Sequence, residues 1–187
     1  MTFYFLRHGA TKGNLEKRYV GATDEGLLPE SRQALLDMNR PDVARVFISP
    51  LRRCVETAEI LFPGVPREIV PDFREMDFGE FEYRNYQELK ELPGYQAWLD
   101  SAGRIPFPGG ESRRDFSGRV VRAFDRIALF APDFGGDAAI VAHGGTLMAI
   151  FEARALPKQD FYTYQVPAGH GYAAVWAKGT LTAASSL

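Results

Sequence analysis

The chain is short of the residues that announce special chemistry or covalent stabilisation. Its 187 residues include one cysteine, three histidines and two tryptophans. Cys54 has no partner for an internal disulfide, which points to a reducing compartment, and a cytoplasmic chain is expected. Charge of either sign is also scarce as a surplus: 22 Lys and Arg against 24 Asp and Glu leave a net charge of -2. That balance excludes the broad basic surface of a nucleic-acid or membrane binder. A bound phosphate would have to be met by a local cluster of arginines. No apolar run approaches membrane-spanning length, and residues 2–6 are too short a run, followed by the wrong residues, for a signal peptide. No two histidines stand at metal-ligand spacing. Repeats and low-complexity tracts are lacking too, apart from a small, weakly polar stretch at 180–187.

What is present is an ordinary globular composition, 45% hydrophobic and 25% charged, at a length that suits one domain over 1–187. The organising stretch is Phe3-Tyr4-Phe5-Leu6-Arg7-His8-Gly9-Ala10-Thr11. Residues 2–6 read as a buried strand that runs straight into Arg-His-Gly. In open α/β sheets ligands bind where strands end, so an arginine and a histidine there, before a glycine that lets the chain turn, suggest an anion site.

Further along, Gly13, Asn14, Gly21, Asp24, Gly26 and Pro29 mark residues 12–29 as an ordered loop near the site. A short helix is expected over 30–38 and a strand over 45–48. Ser49 as N-cap and Pro50 at the first helical position would then open a helix with Leu51, Val55, Ala58 and Phe62 on its core face. Residues 69–70 read as a short strand. Residues 83–108, rich in Tyr, Trp, Pro and Gly, read as one or two short helices in an excursion over the site. Ser112 with Asp115 looks like a capping box before a long helix striped by Phe116, Val120, Phe124 and Ile127. Residues 138–142 form the most convincing central strand, and it too runs into His143-Gly144-Gly145. A last strand at 172–176 would pair antiparallel with Leu181-Thr182. Alternating strands and helices predict a three-layer α/β/α sandwich with a mostly parallel sheet. In such a sheet two strands ending in His-Gly bring both histidines to one edge.

Taken with Asn14, the block Leu6-Arg7-His8-Gly9-Ala10-Thr11 resembles the Arg-His-Gly signature of the histidine phosphatase superfamily, the phosphoglycerate mutase-like proteins. The other blocks follow in order: Gly21-Ala22-Thr23-Asp24, Ser49-Pro50-Leu51-Arg52-Arg53 through Thr57-Ala58, Glu75 with Gly79 and Glu82, Pro108-Gly109-Gly110-Glu111-Ser112, and His143-Gly144-Gly145. Together they cover nearly the whole chain. Within the superfamily, Glu75-Met76-Asp77-Phe78-Gly79 and the Pro108 block look most like the α-ribazole phosphatase-like branch.

The resemblance implies a metal-independent, cofactor-free phosphomonoesterase acting on a small phosphorylated metabolite. It implies that His8 attacks phosphorus to form a phosphohistidine while Arg7, Arg53 and His143 cradle the oxygens. It implies that Glu75 protonates the leaving oxygen and then activates water, with Asp77, Glu80 and Glu82 as rivals for that role. Asn14, Thr23 and the Gly144 N–H would add phosphate or substrate contacts, and His170, in Ala168-Gly169-His170-Gly171, is a further candidate. The chemistry suits the residue types, because a transferring phosphoryl group carries charge on three oxygens that arginine donors match. Two alternatives stand beside it: a phosphoglycerate mutase, and a non-enzymatic phospho-ligand or interaction protein. The compact interval from Glu75 to His143 favours hydrolysis, since less cover admits water. Monomer and homodimer are both compatible with the sequence. One departure concerns the substrate: Tyr83 replaces the family's usual glycine and is expected to add bulk near the pocket entrance.

Overall fold

The computed structural model describes residues 1–187, the side chains of 183 and 184 excepted. Six strands form one sheet: β1 (Thr2–Arg7), β2 (Arg45–Ile48), β3 (Arg67–Ile69), β4 (Ala138–Ala142), β5 (Gly171–Ala177) and β6 (Thr180–Ser186). Their order is β3-β2-β4-β1-β5-β6. The first four strands run parallel, and β5 and β6 add an antiparallel pair beside β1. The helices are α1 (Lys12–Leu15), α2 (Pro29–Leu36), α3 (Arg52–Leu61), α4 (Tyr86–Leu89), α5 (Pro93–Asp100), α6 (Arg113–Leu129) and α7 (Gly144–Arg154). The predicted three-layer architecture is the one observed.

Strand alternation builds the layers. On β4, Ala138, Ile140 and Ala142 enter one core cluster, while Ala139 and Val141 enter the other. Phe3 and Phe5 of β1 pack into the first cluster with Phe116, Val120 and Phe124 of α6 and Leu147 and Phe151 of α7. Leu6 faces the second, with Leu35 of α2 and Cys54, Ala58 and Leu61 of α3. Each buried Val, Leu, Ile or Phe side chain among them contributes about 1.5–3 kcal/mol. A strand buried on both faces therefore reads as an unbroken apolar run, as the AAIVA of β4 does.

Two local expectations are corrected. Ser49 does not cap α3, which starts at Arg52 with Leu51 as N-cap and no side-chain cap bond. Asp24 instead reaches across and accepts from the Arg52 N–H at 2.7 Å, freeing the Ser49 hydroxyl for other work. The buried face of α3 is also wider than the expected one: Ala58 and Phe62 are buried as expected and Val55 is half-buried, while Arg53, Cys54, Thr57 and Leu61 are buried as well. An apolar-only pattern could not register a buried arginine.

Candidate active site

The carboxyl edge of the parallel strands gathers the predicted residues. His8 follows β1, and its N–H donates to Ala142 O of β4 at 2.9 Å, tying the ends of the two strands together. Its Nδ1 lies 2.7 Å from Gly9 O. A carbonyl can only accept, so Nδ1 carries the proton and Nε2 is left with its lone pair free. Burial, then Arg53 and Arg7 nearby, hold the His8 pKa well below its usual 6.5, so the ring is neutral. Gly9 answers to lack of room: a Cβ there would stand 2.6 Å from Ser31 Oγ and 2.9 Å from Leu35 Cδ1.

The His143 ring meets that of His8 edge-on, centroids 5.2 Å apart. His143 follows β4 as the N-cap of α7 and is fully buried. Arg53 Nε donates to its Nδ1 at 3.3 Å, so Nε2 bears the proton and donates to Ser49 Oγ at 2.7 Å. Both ring nitrogens are thereby engaged by protein. Arg53, also 0% exposed, donates through Nη1 to Thr23 O and through Nη2 to Val20 O and Gly21 O, at 2.7 to 3.2 Å. Its neighbour Arg52 is exposed and bonds Glu56. Thr23 is itself held by Glu82, whose carboxylate accepts from the N–H of Gly21 and Thr23 and from the Thr23 hydroxyl. Glu82, a rival for the acid role in the sequence, is thus occupied in holding the loop that surrounds Arg53.

Glu75 reaches the same edge from a loop. Its carboxyl accepts from Met76 N at 2.9 Å and from Gly145 N at 3.1 Å. Burial raises its pKa above the usual 4.5 against the pull of those bonds and of Arg53 and Arg7. The approach needs a glycine at 145, because a Cβ there would clash with Glu75 Oε1. Gly145→Ala is therefore expected to displace the carboxyl and lower kcat about 100-fold with little change in Tm, if proton transfer passes through Glu75. Steady-state kinetics beside thermal unfolding checks this, and kcat within a factor of about three of wild type would refute it.

These groups open onto a cavity of about 270 Å³ lined by Arg7, His8, Asn14, Glu75, Gly144 and Gly145 at its polar end. Arg7 Nη1 donates to Val166 O at 2.8 Å, and its buried Nε has no acceptor among the described residues. Tyr19, Phe78, Trp98, Phe107, Phe161 and Tyr162 line much of the rest, with Arg18, Arg113 and Gln165 among them. Trp98 stacks on Phe107 at 4.9 Å, and Tyr19 packs edge-on to Phe78 at 5.2 Å. Among the described residues, no group of three His, Cys, Asp or Glu is placed to hold a metal ion.

Four predicted residues do not line this cavity. Arg53, His143 and Thr23 are engaged among themselves and with the 20–23 loop, as above. His170 is corrected to a turn residue: its ring is exposed, with Nδ1 3.1 Å from Leu187 O, and only its backbone serves the site, its carbonyl accepting from Arg7 N at 2.9 Å. Tyr83 is corrected as well. It takes the left-handed φ of +57° that a glycine would adopt freely. Its hydroxyl donates to Glu25, and it does not line the cavity. Trp98 and Phe107 of the aromatic wall come from the excursion expected over the site, whereas Tyr19, Phe78, Phe161 and Tyr162 lie outside it and were not read from the sequence as wall residues. No spacing along the chain joins the six.

Comparison with known proteins bears on the fold and the family. The adenosylcobalamin/alpha-ribazole phosphatase of Salmonella typhimurium is 29% identical over 180 residues, covering 90% of this chain and 87% of that protein. The crystal structure of the alpha-ribazole phosphatase from Shigella flexneri superposes with a TM-score of 0.86 at 25% identity, over 97% of this chain and 94% of that one. Phosphoglycerate mutase from Thermus thermophilus gives a TM-score of 0.74 at 29% identity, over 100% of this chain and 99% of that one. The family model of the histidine phosphatase superfamily, branch 1, matches residues 3–184, and the chain belongs to that superfamily.

Proposed function

We propose that the protein is a phosphomonoesterase that works through a phosphohistidine on His8, with a small phosphate ester bearing a flat, apolar group as substrate. The observation that carries the reading is the His8 ring. It is neutral, donates from Nδ1 to Gly9 O, and presents a free Nε2 to a cavity that also holds Arg7 and Glu75. Similarity to the alpha-ribazole phosphatases supports hydrolysis over transfer back to a substrate.

The phosphoryl oxygens are met by Arg7 and the start of α7 at Gly144, where an anion is favoured. His8 Nε2 attacks phosphorus as the bond to the leaving oxygen breaks, and the Glu75 carboxyl, in its protonated form, gives that oxygen its proton. The phosphorylated ring keeps its Nδ1 proton, now more acidic and more tightly held by Gly9 O. Glu75, now ionised, takes a proton from water. The resulting hydroxide displaces His8 from phosphorus, releasing inorganic phosphate and restoring both groups. Arg53 works one step back by fixing His143 and the 20–23 loop. The aromatic walls suit a ring on the alcohol half of the ester.

The test is EDTA-resistant hydrolysis of p-nitrophenyl phosphate, followed as kcat/KM against pH with the substrate's own ionisation near about 6 divided out. His8 is held below 6.5, so the acid limb should lie well under pH 6.5. The Glu75 pKa is raised above 4.5, so the acid survives past that value and is lost on the alkaline side as it ionises. With benzyl phosphate, whose leaving oxygen needs a proton, Glu75→Gln should lower kcat/KM about 100-fold and abolish that alkaline limb. Hydrolysis that disappears in EDTA, or an acid limb at 6.5, would overturn the reading. Interconversion of phosphoglycerates without net hydrolysis would favour a mutase.

A further inference from the structure

Glu75 sits between two single-turn 3-10 segments, Pro71–Phe73 and Gly79–Phe81, with no helix or strand of its own to hold it. A general acid needs its oxygen held to within about 0.5 Å, and something outside that loop must supply the order. Arg119 of α6, 8% exposed, is bonded to the loop along its length. Its Nη1 donates to Asp72 O at 2.7 Å and Arg74 O at 2.9 Å, and its Nη2 donates to Glu75 O at 2.9 Å. The same guanidinium donates from Nε and Nη2 to the two oxygens of Glu111, both at 2.7 Å. Glu111 holds the far side of the loop: its Oε2 accepts from Asp77 N at 3.0 Å, and its own N–H donates to Asp77 O at 2.9 Å.

Burial works to raise the Glu111 pKa, and the bonds from Arg119 and Asp77 more than offset it, so the carboxylate is ionised and the pair is a true ion pair. Neither residue lines the cavity. The planar fork of arginine is needed here, because one ammonium cannot reach three carbonyls and a carboxylate at once.

We propose that Arg119 and Glu111 are positioning residues for the general acid: a buckle that grips residues 72–77 and sets where the Glu75 carboxyl meets the leaving oxygen. The proposal rests on the reading of Glu75 given above. It separates from a merely structural role by chemistry, because a misplaced acid harms only substrates whose leaving group needs a proton. Benzyl phosphate expels a basic alkoxide and needs one, whereas 2,4-dinitrophenyl phosphate expels a stable phenolate and does not. The constant kcat/KM reports the steps up to leaving-group departure, so the later attack of water does not enter.

The experiment measures kcat/KM for both esters in wild type, Glu75→Gln, Arg119→Lys, Glu111→Gln and the control Arg154→Lys. The control weakens the remote Arg154–Asp125 pair. Glu75→Gln should lower the benzyl ester about 100-fold and the dinitrophenyl ester by less than about threefold. Arg119→Lys and Glu111→Gln should repeat that asymmetry at about tenfold against near-unity, and Arg154→Lys should show none. Equal losses on both esters in the two buckle variants, tracking a fall in Tm, would overturn the proposal while leaving Glu75 as the acid. No asymmetry in Glu75→Gln would remove the acid itself, and the buckle with it. Should Arg119→Lys fail to fold, Glu111→Gln, which keeps the shape and one acceptor, decides alone.

Discussion

Replacing His8 by alanine is expected to reduce phosphate-ester hydrolysis by about four orders of magnitude or more, since loss of a nucleophile leaves only binding and electrostatics. The fold should survive. The imidazole makes one side-chain hydrogen bond, from Nδ1 to Gly9 O, and the β1–β4 tie at this point runs through the His8 backbone N–H, which alanine keeps. Wild type quenched during turnover should carry a phosphate that is stable to alkali and lost in acid, as expected of a phosphorus–nitrogen bond, and His8→Ala should carry none. EDTA should leave the wild-type rate unchanged. A His8→Ala protein retaining a tenth of wild-type activity would rule out this histidine as the nucleophile, because bystander imidazoles do not supply rate factors of about 10⁴.

The second large effect belongs to Arg53. Its alanine variant is expected to lose about 3–5 kcal/mol of stability, from the volume vacated in a closed site and from the polar groups left without donors. The guanidinium supplies Thr23 O, Val20 O, Gly21 O and His143 Nδ1, and each would have to find water in a place that is 0% exposed. Urea unfolding at pH 7 measures this, and a loss under about 1 kcal/mol would mean the loop re-pairs without the arginine. Arg53→Lys should recover little of either stability or activity, because an ammonium cannot span acceptors on 20, 21, 23 and 143 together. Activity should fall with the loop, since the 20–23 segment leads from Tyr19 and Val20 of the cavity wall back to the buried histidine pair.

The resemblance read in the sequence picked out His8, Arg7, Glu75, Asn14 and Gly144, and all five line the cavity. It could do so because strands that end in His-Gly deliver their histidines to one sheet edge, whatever lies between them in the chain. The resemblance also placed Arg53 against the phosphate, but that side chain is buried behind the cavity and does not line it. The partners of these groups were misassigned as well. Ser49 read as a helix cap from its place before Pro50, but the cap is supplied from Asp24, far off in sequence, and the serine turns to His143. Tyr83 was expected at the pocket mouth because it replaces a glycine. The structure shows that the position demands a left-handed φ, and the side chain points to Glu25.

By itself, then, the sequence determined the layers, the parallel core of the sheet and the residue types at its carboxyl edge. These follow from periodicity, turn residues and motif order, all of them local along the chain. Tertiary structure alone decided which polar groups are spent on protein and which face the cavity. Arg53 and His143 share the motif status of Arg7 and His8, yet the first pair is bound to neighbouring chain while Arg7 and His8 line the cavity. It also decided the aromatic wall and the grip of Arg119 and Glu111 on the loop of Glu75. The reason is physical. A buried donor has as many possible acceptors as there are carbonyls in reach, and that set exists only once distant segments have packed together.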